Sequence, residues 1–273
     1  TTTLAGNSGN NLLNASGLES SLVQGLAGND TVRASAGAST ATAMLVDAAG
    51  GADLIEFSAG TYSASTIKGG AGGDTINLSA TTISTTDVFG GDGNDTITMI
   101  GGAITSANIL LGGGVDSATI SGSNITDGDV KLGAGADKLD WDNGTFNSAN
   151  VFGGGGADSI VISAGATDHT LVNLDSTVNG GGADTISFVG AVFGEDSTLK
   201  GKGGKDSIYV SSMGVSARIE GNAGADNIDV EDVEGSAAFI GGGSGNDTIT
   251  LSAAVNTISG ATIQGGGGAD SID

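Results

Sequence analysis

The chain has 273 residues, 31 Asp plus Glu against 8 Lys plus Arg, and a formal net charge of −23. Such an acidic balance excludes the basic footprint of a nucleic-acid binder and adhesion to anionic lipid without a bridging ion. No apolar run approaches the length of a membrane span, so direct membrane insertion is not expected. Cysteine is absent, which removes disulfides and thiolate metal sites, and proline is absent beside 52 glycines. A chain without proline suits strands paired on both edges, where every backbone N–H is used.

In chain order, the first recognisable element is Gly6-Asn7-Ser8-Gly9-Asn10-Asn11-Leu12-Leu13. It is a degenerate copy of a unit that then recurs twelve times: a Gly-rich turn, an aspartate two residues after a glycine, and a short apolar strand. The aspartates are Asp30, Asp53, Asp74, Asp95, Asp116, Asp137, Asp158, Asp184, Asp206, Asp226, Asp247 and Asp270. The five intervals from Asp53 to Asp158 are each 21 residues, and the other six lie between 20 and 26. A fixed period of this size marks a solenoid, in which each repeat is one coil stacked on the last.

Numbering each turn so that the aspartate is sixth, the fourth position is glycine in all twelve copies, for example Gly72, Gly93, Gly135 and Gly245. That uniformity predicts a backbone requirement, either positive φ or close approach of a ligand or neighbouring chain. The first two positions are looser, with Ala48-Ala49 and Leu111-Gly112 among the variants, and the Ala48 and Asn11 turns are expected to be weak sites. After each aspartate the period becomes two, with Ile55/Phe57, Ile76/Leu78, Ile97/Met99 and Leu139/Trp141 apolar between polar neighbours, which predicts a half-buried strand. A second apolar column (Val23, Val46, Ile67, Val88, Ile109, Val130) precedes each turn and predicts the opposite strand. Between the two strands a plainer turn is introduced by Tyr62, Ile83, Ile104, Ile125 and Phe146. Each coil therefore reads strand, plain turn, strand, Gly-Asp turn. The 26-residue interval before Asp184, which contains Asp168-His169, is expected to loop out on the plain-turn side.

Stacked aspartates about 5 Å apart repel, and must either take up protons or bind cations. Calcium suits such a column, because it accepts six to eight oxygens, backbone carbonyls as readily as carboxylates. One ion in each of about eleven intervals would nearly cancel the formal charge of −23. Gly-Asp is also a good turn dipeptide in a solvated loop, but a turn preference does not require glycine at position four every time.

Copies such as Gly69-Gly70-Ala71-Gly72-Gly73-Asp74-Thr75-Ile76 and Gly90-Gly91-Asp92-Gly93-Asn94-Asp95-Thr96-Ile97 resemble the nonapeptide repeats of RTX, or haemolysin-type calcium-binding, proteins. The resemblance covers nearly the whole chain. It implies an all-β, right-handed parallel β-roll of about 12–13 coils over residues 1–273, calcium-ligand roles for the twelve aspartates, and multiple Ca2+ ions, roughly one per coil interval. It also implies a secreted protein. The family's usual coil holds two nonapeptides, whereas this coil of about 21 residues has one calcium-type turn, so a single column of ions is expected.

Other chemistry finds little support in the residues. Phosphate cradles need a glycine loop opening a helix, and here a β-branched strand follows. His169 is the one histidine, so a hydrolase triad rests on a single loop residue, and no catalytic role is expected. Outward threonines such as Thr96/Thr98 and Thr248/Thr250 resemble those of ice-binding solenoids, but Lys138/Asp140 and Ser207/Tyr209 interrupt the row. The chain is expected to be a piece of a longer polypeptide at a bacterial cell surface: an S-layer, filament or adhesin protein that self-associates or meets other surface proteins or glycans. The alternative is the calcium-dependent secretion and folding module of a longer RTX enzyme or toxin.

Overall fold

A computed structural model describes residues 2–37, 40–144, 146–147, 149–163, 182–193, 197–233, 236–252 and 260–273. Asp168 and His169 lie outside the described residues. The chain forms two compact units, Thr1–Ala134 and Gly135–Asp273, and each is an all-β parallel solenoid.

In the first unit, Leu12–Asn14, Thr31–Ser35, Leu54–Ser63, Thr75–Ser84, Thr96–Thr105 and Ser117–Thr126 follow one another in one sheet. The strands Thr3–Ala5, Leu22–Gln24, Leu45–Gly50, Thr66–Ala71, Asp87–Asp92, Ile109–Gly113 and Asp129–Ala134 follow one another in the facing sheet. Pairing is parallel and in coil register: Ile97 lies between Ile76 and Ala118, and Val88 between Ile67 and Ile109. In the second unit one sheet runs through Lys138–Asp142, Ser159–Ser163, Thr185–Phe193, Ser207–Met213, Asn227–Val230, Thr248–Leu251 and Ser271–Ile272. The other contains Thr198–Gly203, Arg218–Ala223, Phe239–Ser244 and Thr262–Gly267.

Alternation fills the core as expected. Ile55, Ile76 and Ile97 are fully buried opposite Val46, Ile67 and Val88, and Trp141 is the largest buried side chain of the second unit. Because successive coils place the same residue at the same height, each aliphatic column is a continuous apolar stripe that no single coil could bury alone.

The plain turn follows the residues that introduce it in the sequence: Tyr62, Ile83, Ile104 and Ile125 are buried near the end of a strand, two positions before the corner. The strand bends earlier, at Ala59, Ala80, Gly101 and Gly122, each with φ between 45° and 65°. That bend shifts the alternation by one: Ile76 and Leu78 point inward, then Thr81 and Ile83. The corner that sends the chain to the opposite sheet is one residue: Ser20, Ala43, Ala64, Thr85, Ser106 and Asp127 have φ between 48° and 53°. The N–H of each of the first five donates to a carbonyl of the next coil, as from Thr85 to Thr105 at 2.9 Å. A small or short polar residue accepts this left-handed conformation at a cost of about 1–2 kcal/mol, and the interstrand hydrogen bond offsets it.

Candidate metal centre

Every aspartate named by the repeat lies at the inner face of its turn. From Asp30 to Asp247 all eleven are buried, at 1–3% exposure, and Asp270 is half-buried. Inward placement follows from the strand pattern, because position six starts the inward alternation that positions eight and ten continue.

The backbone links these carboxylates into a ladder. In the first unit the N–H of Asp30 donates to Oδ1 of Asp53 at 2.6 Å, Asp53 to Asp74 at 2.8 Å, Asp74 to Asp95 at 2.8 Å and Asp95 to Asp116 at 2.7 Å. In the second unit the same bond runs from Asp137 through Asp158, Asp184, Asp206, Asp226 and Asp247 to Asp270, at 2.8–3.0 Å. The aspartate carbonyl is also used; that of Asp74 accepts the N–H of Thr96 at 2.8 Å. In seven of these residues the remaining oxygen is not. Oδ2 of Asp30, Asp53, Asp74, Asp95, Asp158, Asp226 and Asp247 is buried with no hydrogen-bond partner among the described residues. A buried, ionised oxygen without a donor is expensive, and burial raises the pKa of a carboxyl group. It pushes Asp53, Asp95, Asp116, Asp158, Asp184 and Asp226 up, and Asp74 and Asp206 up to about 7, while repulsion from a nearby carboxylate adds a smaller push at Asp53, Asp74, Asp95, Asp158, Asp206 and Asp226.

Glycine makes the room. A Cβ on Gly90, at position one, would lie 2.5 Å from Oδ2 of Asp95 and 2.6 Å from the carbonyl oxygen of Leu111 in the next coil. The same pair of oxygens meets over Gly25, Gly69, Gly221 and Gly242. At position four, Gly93 has φ 125° and a Cβ there would overlap the carbonyl of Gly72, so both backbone requirements anticipated from the sequence hold at once. Gly72, Gly114, Gly156, Gly224 and Gly245 repeat the arrangement.

The available ligands are carboxylate and carbonyl oxygens. No group of three or more His, Cys, Asp or Glu able to hold a metal occurs among the described residues. A metal here would draw much of its shell from the backbone, which fits a hard cation such as calcium and does not fit zinc. Each ion would supply positive charge to an orphaned Oδ2 and hold two turns together.

Sequence reasoning missed two features. Asn at position five is a second ladder: Oδ1 of Asn10, Asn29, Asn94 and Asn246 accepts the position-five N–H of the next coil, from Asn29, Ala52, Val115 and Ala269 respectively, at 2.8–3.0 Å. The Asn-Asn and Asn-Asp pairs at positions five and six were the available signal. The second is the position-one glycine, whose neighbour is a side-chain oxygen of its own turn.

Fold and site together define a parallel β-solenoid with a buried, oxygen-lined acidic ladder. No family model and no curated protein matches the chain. Among solved structures it is similar to a hyperactive, Ca2+-dependent, β-helical antifreeze protein from an Antarctic bacterium, at 19% identity, over 92% of this chain and 84% of that one, with a TM-score of 0.55. That likeness supports the β-helical fold.

Proposed function

We propose that this chain is a calcium-binding, non-catalytic structural solenoid of the RTX type that works outside a bacterial cell, as part of a surface coat, filament or adhesin. The observation that carries the reading is the set of buried Oδ2 atoms without donors at Asp30, Asp53, Asp74, Asp95, Asp158, Asp226 and Asp247, in a chain of net charge −23. Calcium neutralises that column with oxygen ligands the turns already offer. Similarity to a Ca2+-dependent β-helical protein supports the same reading. Folding and metal uptake are then one process, so the chain is stiff where calcium is millimolar and slack where it is scarce. Secretion, self-association and contact with surface proteins or glycans belong to this proposal.

Ice binding is not the favoured reading. The outward strand positions carry the Arg33–Glu56 ion pair at 2.6 Å and Lys138 beside Asp140 at 3.5 Å, which break any regular row of threonines. Isothermal titration at neutral pH tests the calcium reading, with several ions per chain expected and absence of uptake refuting it. Immunogold labelling of intact source cells tests the location, and label confined to the cytoplasm would overturn that part.

A further inference from the structure

The first turn, Gly6-Asn7-Ser8-Gly9-Asn10-Asn11, departs from the others at one atom. Asn11 stands at position six, so an amide nitrogen is present where the other turns have only carboxylate oxygen. The ladder itself is kept, since the N–H of Asn11 donates to Oδ1 of Asp30 at 2.7 Å. Oδ1 of Asn11 accepts the N–H of Asn7 at 3.2 Å. Its Nδ2 donates to the carbonyl of Asn7 at 3.2 Å, to the carbonyl of Gly9, and to Oδ1 of Asp30 at 2.9 Å. Reversing the amide would set an oxygen against three oxygens, so the network fixes its orientation.

Two carbonyls of one turn, at positions two and four, and a carboxylate of the next therefore converge on one donor. The carbonyls at those positions recur in line along the ladder. A Cβ on Gly91 would overlap the carbonyl of Gly70, and one on Gly93 that of Gly72. In those turns the sixth residue offers only oxygen. A side-chain amide carries two polar hydrogens and no net charge, so it satisfies the oxygens without the desolvation cost of a buried anion.

We infer that the Asn11 amide is a built-in substitute for the cation, so that this turn takes no calcium. This rests on the calcium reading of the other turns. Asn11→Asp exchanges two donor hydrogens for an acceptor, takes that donor away from the carbonyls of Asn7 and Gly9, and creates one more site.

Calcium content of the whole chain, wild type and Asn11→Asp, is measured by isothermal titration and by elemental analysis after gel filtration. The variant is expected to hold one more Ca2+ per chain than the wild type. Equal stoichiometry overturns the inference and leaves the calcium reading standing, whereas a wild type that takes up no calcium overturns both. Anomalous scattering from calcium in wild-type crystals decides even if the variant fails to fold. Peaks are expected beside the buried aspartates and none among Asn7, Gly9 and Asp30, and a peak there refutes the substitution.

Discussion

Removing calcium and then varying pH should reverse the usual acid sensitivity of a protein. Burial raises Asp74, in the first unit, and Asp206, in the second, from the ordinary 3.8 to about 7. Between those two pH values the folded, metal-free chain holds a proton that the unfolded chain has lost. The contribution is therefore fully present below about pH 4, falls as pH rises, and is gone above about pH 7. At 1.36 kcal/mol per pH unit, each of these two groups withdraws about 4 kcal/mol over that window. Asp53, Asp95 and Asp116 act in the same direction in the first unit, and Asp158, Asp184 and Asp226 in the second. A typical domain is stable by about 5–15 kcal/mol, so a loss of this size suffices to unfold either unit. Calcium binds the ionised form and restores the fold at the alkaline end. The assay is far-ultraviolet circular dichroism of chelator-dialysed protein from about pH 5 to about pH 8, followed by millimolar calcium at the alkaline end. A β-rich spectrum is expected near pH 5, its loss near pH 8, and its recovery with calcium. A metal-free chain as β-rich near pH 8 as with calcium, or one that unfolds on acidification instead, would refute the reasoning.

Gly93→Ala sets a methyl against the carbonyl of Gly72, whereas Gly101→Ala meets nothing within 4 Å and carries only the strain of φ 65°. Gly101→Ala should cost about 1–2 kcal/mol and Gly93→Ala clearly more, with its calcium midpoint raised; equal urea midpoints would show that position four serves an ordinary turn. Asn94→Ala removes the acceptor of the Val115 N–H at an exposed site and should cost about 1 kcal/mol in chemical denaturation, with calcium stoichiometry unchanged. Ile97→Ala, in the fully buried column, should cost about 2–5 kcal/mol. The calcium-loaded chain should show no thermal hysteresis in a freezing assay, and a measurable gap between melting and freezing would revive the ice-binding reading.

The parts of the fold that repeat in residue type were legible in the sequence. Gly93 and Asp95 recur at the coil period, and the alternation of Ile97 and Met99 against Val88 places them on two facing strands. What stayed hidden depends on backbone conformation that residue type does not encode. Thr85, Ser106 and Ala64 share one left-handed corner without sharing chemistry, and Ala80 bends a strand in the place Gly101 does one coil later. Aspartate in a Gly-rich turn suggests a solvated loop, yet the carboxylate of Asp95 lies inward, where Gly90 at position one of the same turn has no side chain to occupy that space. Mutual repulsion was the expected driving term; burial proves larger, since the walls of the ladder are close-packed backbone.

The aspartate ladder has a direction. In both units the donor always belongs to the earlier coil and the acceptor to the later one, from Asp53 to Asp74 and from Asp226 to Asp247 alike. Each aspartate N–H thus borrows a carboxylate oxygen from the coil that follows it, while the aspartate carbonyl and the position-five asparagine lend theirs forward. Within the aspartate ladder, trimming a unit from its N-terminal side frees a carboxylate oxygen, which water can satisfy, whereas trimming from the C-terminal side strands the aspartate N–H. The two truncations are chemically unlike, even for equal numbers of coils removed. During synthesis, which delivers the N-terminal coil first, a newly made turn waits about 21 residues for the oxygen that completes it.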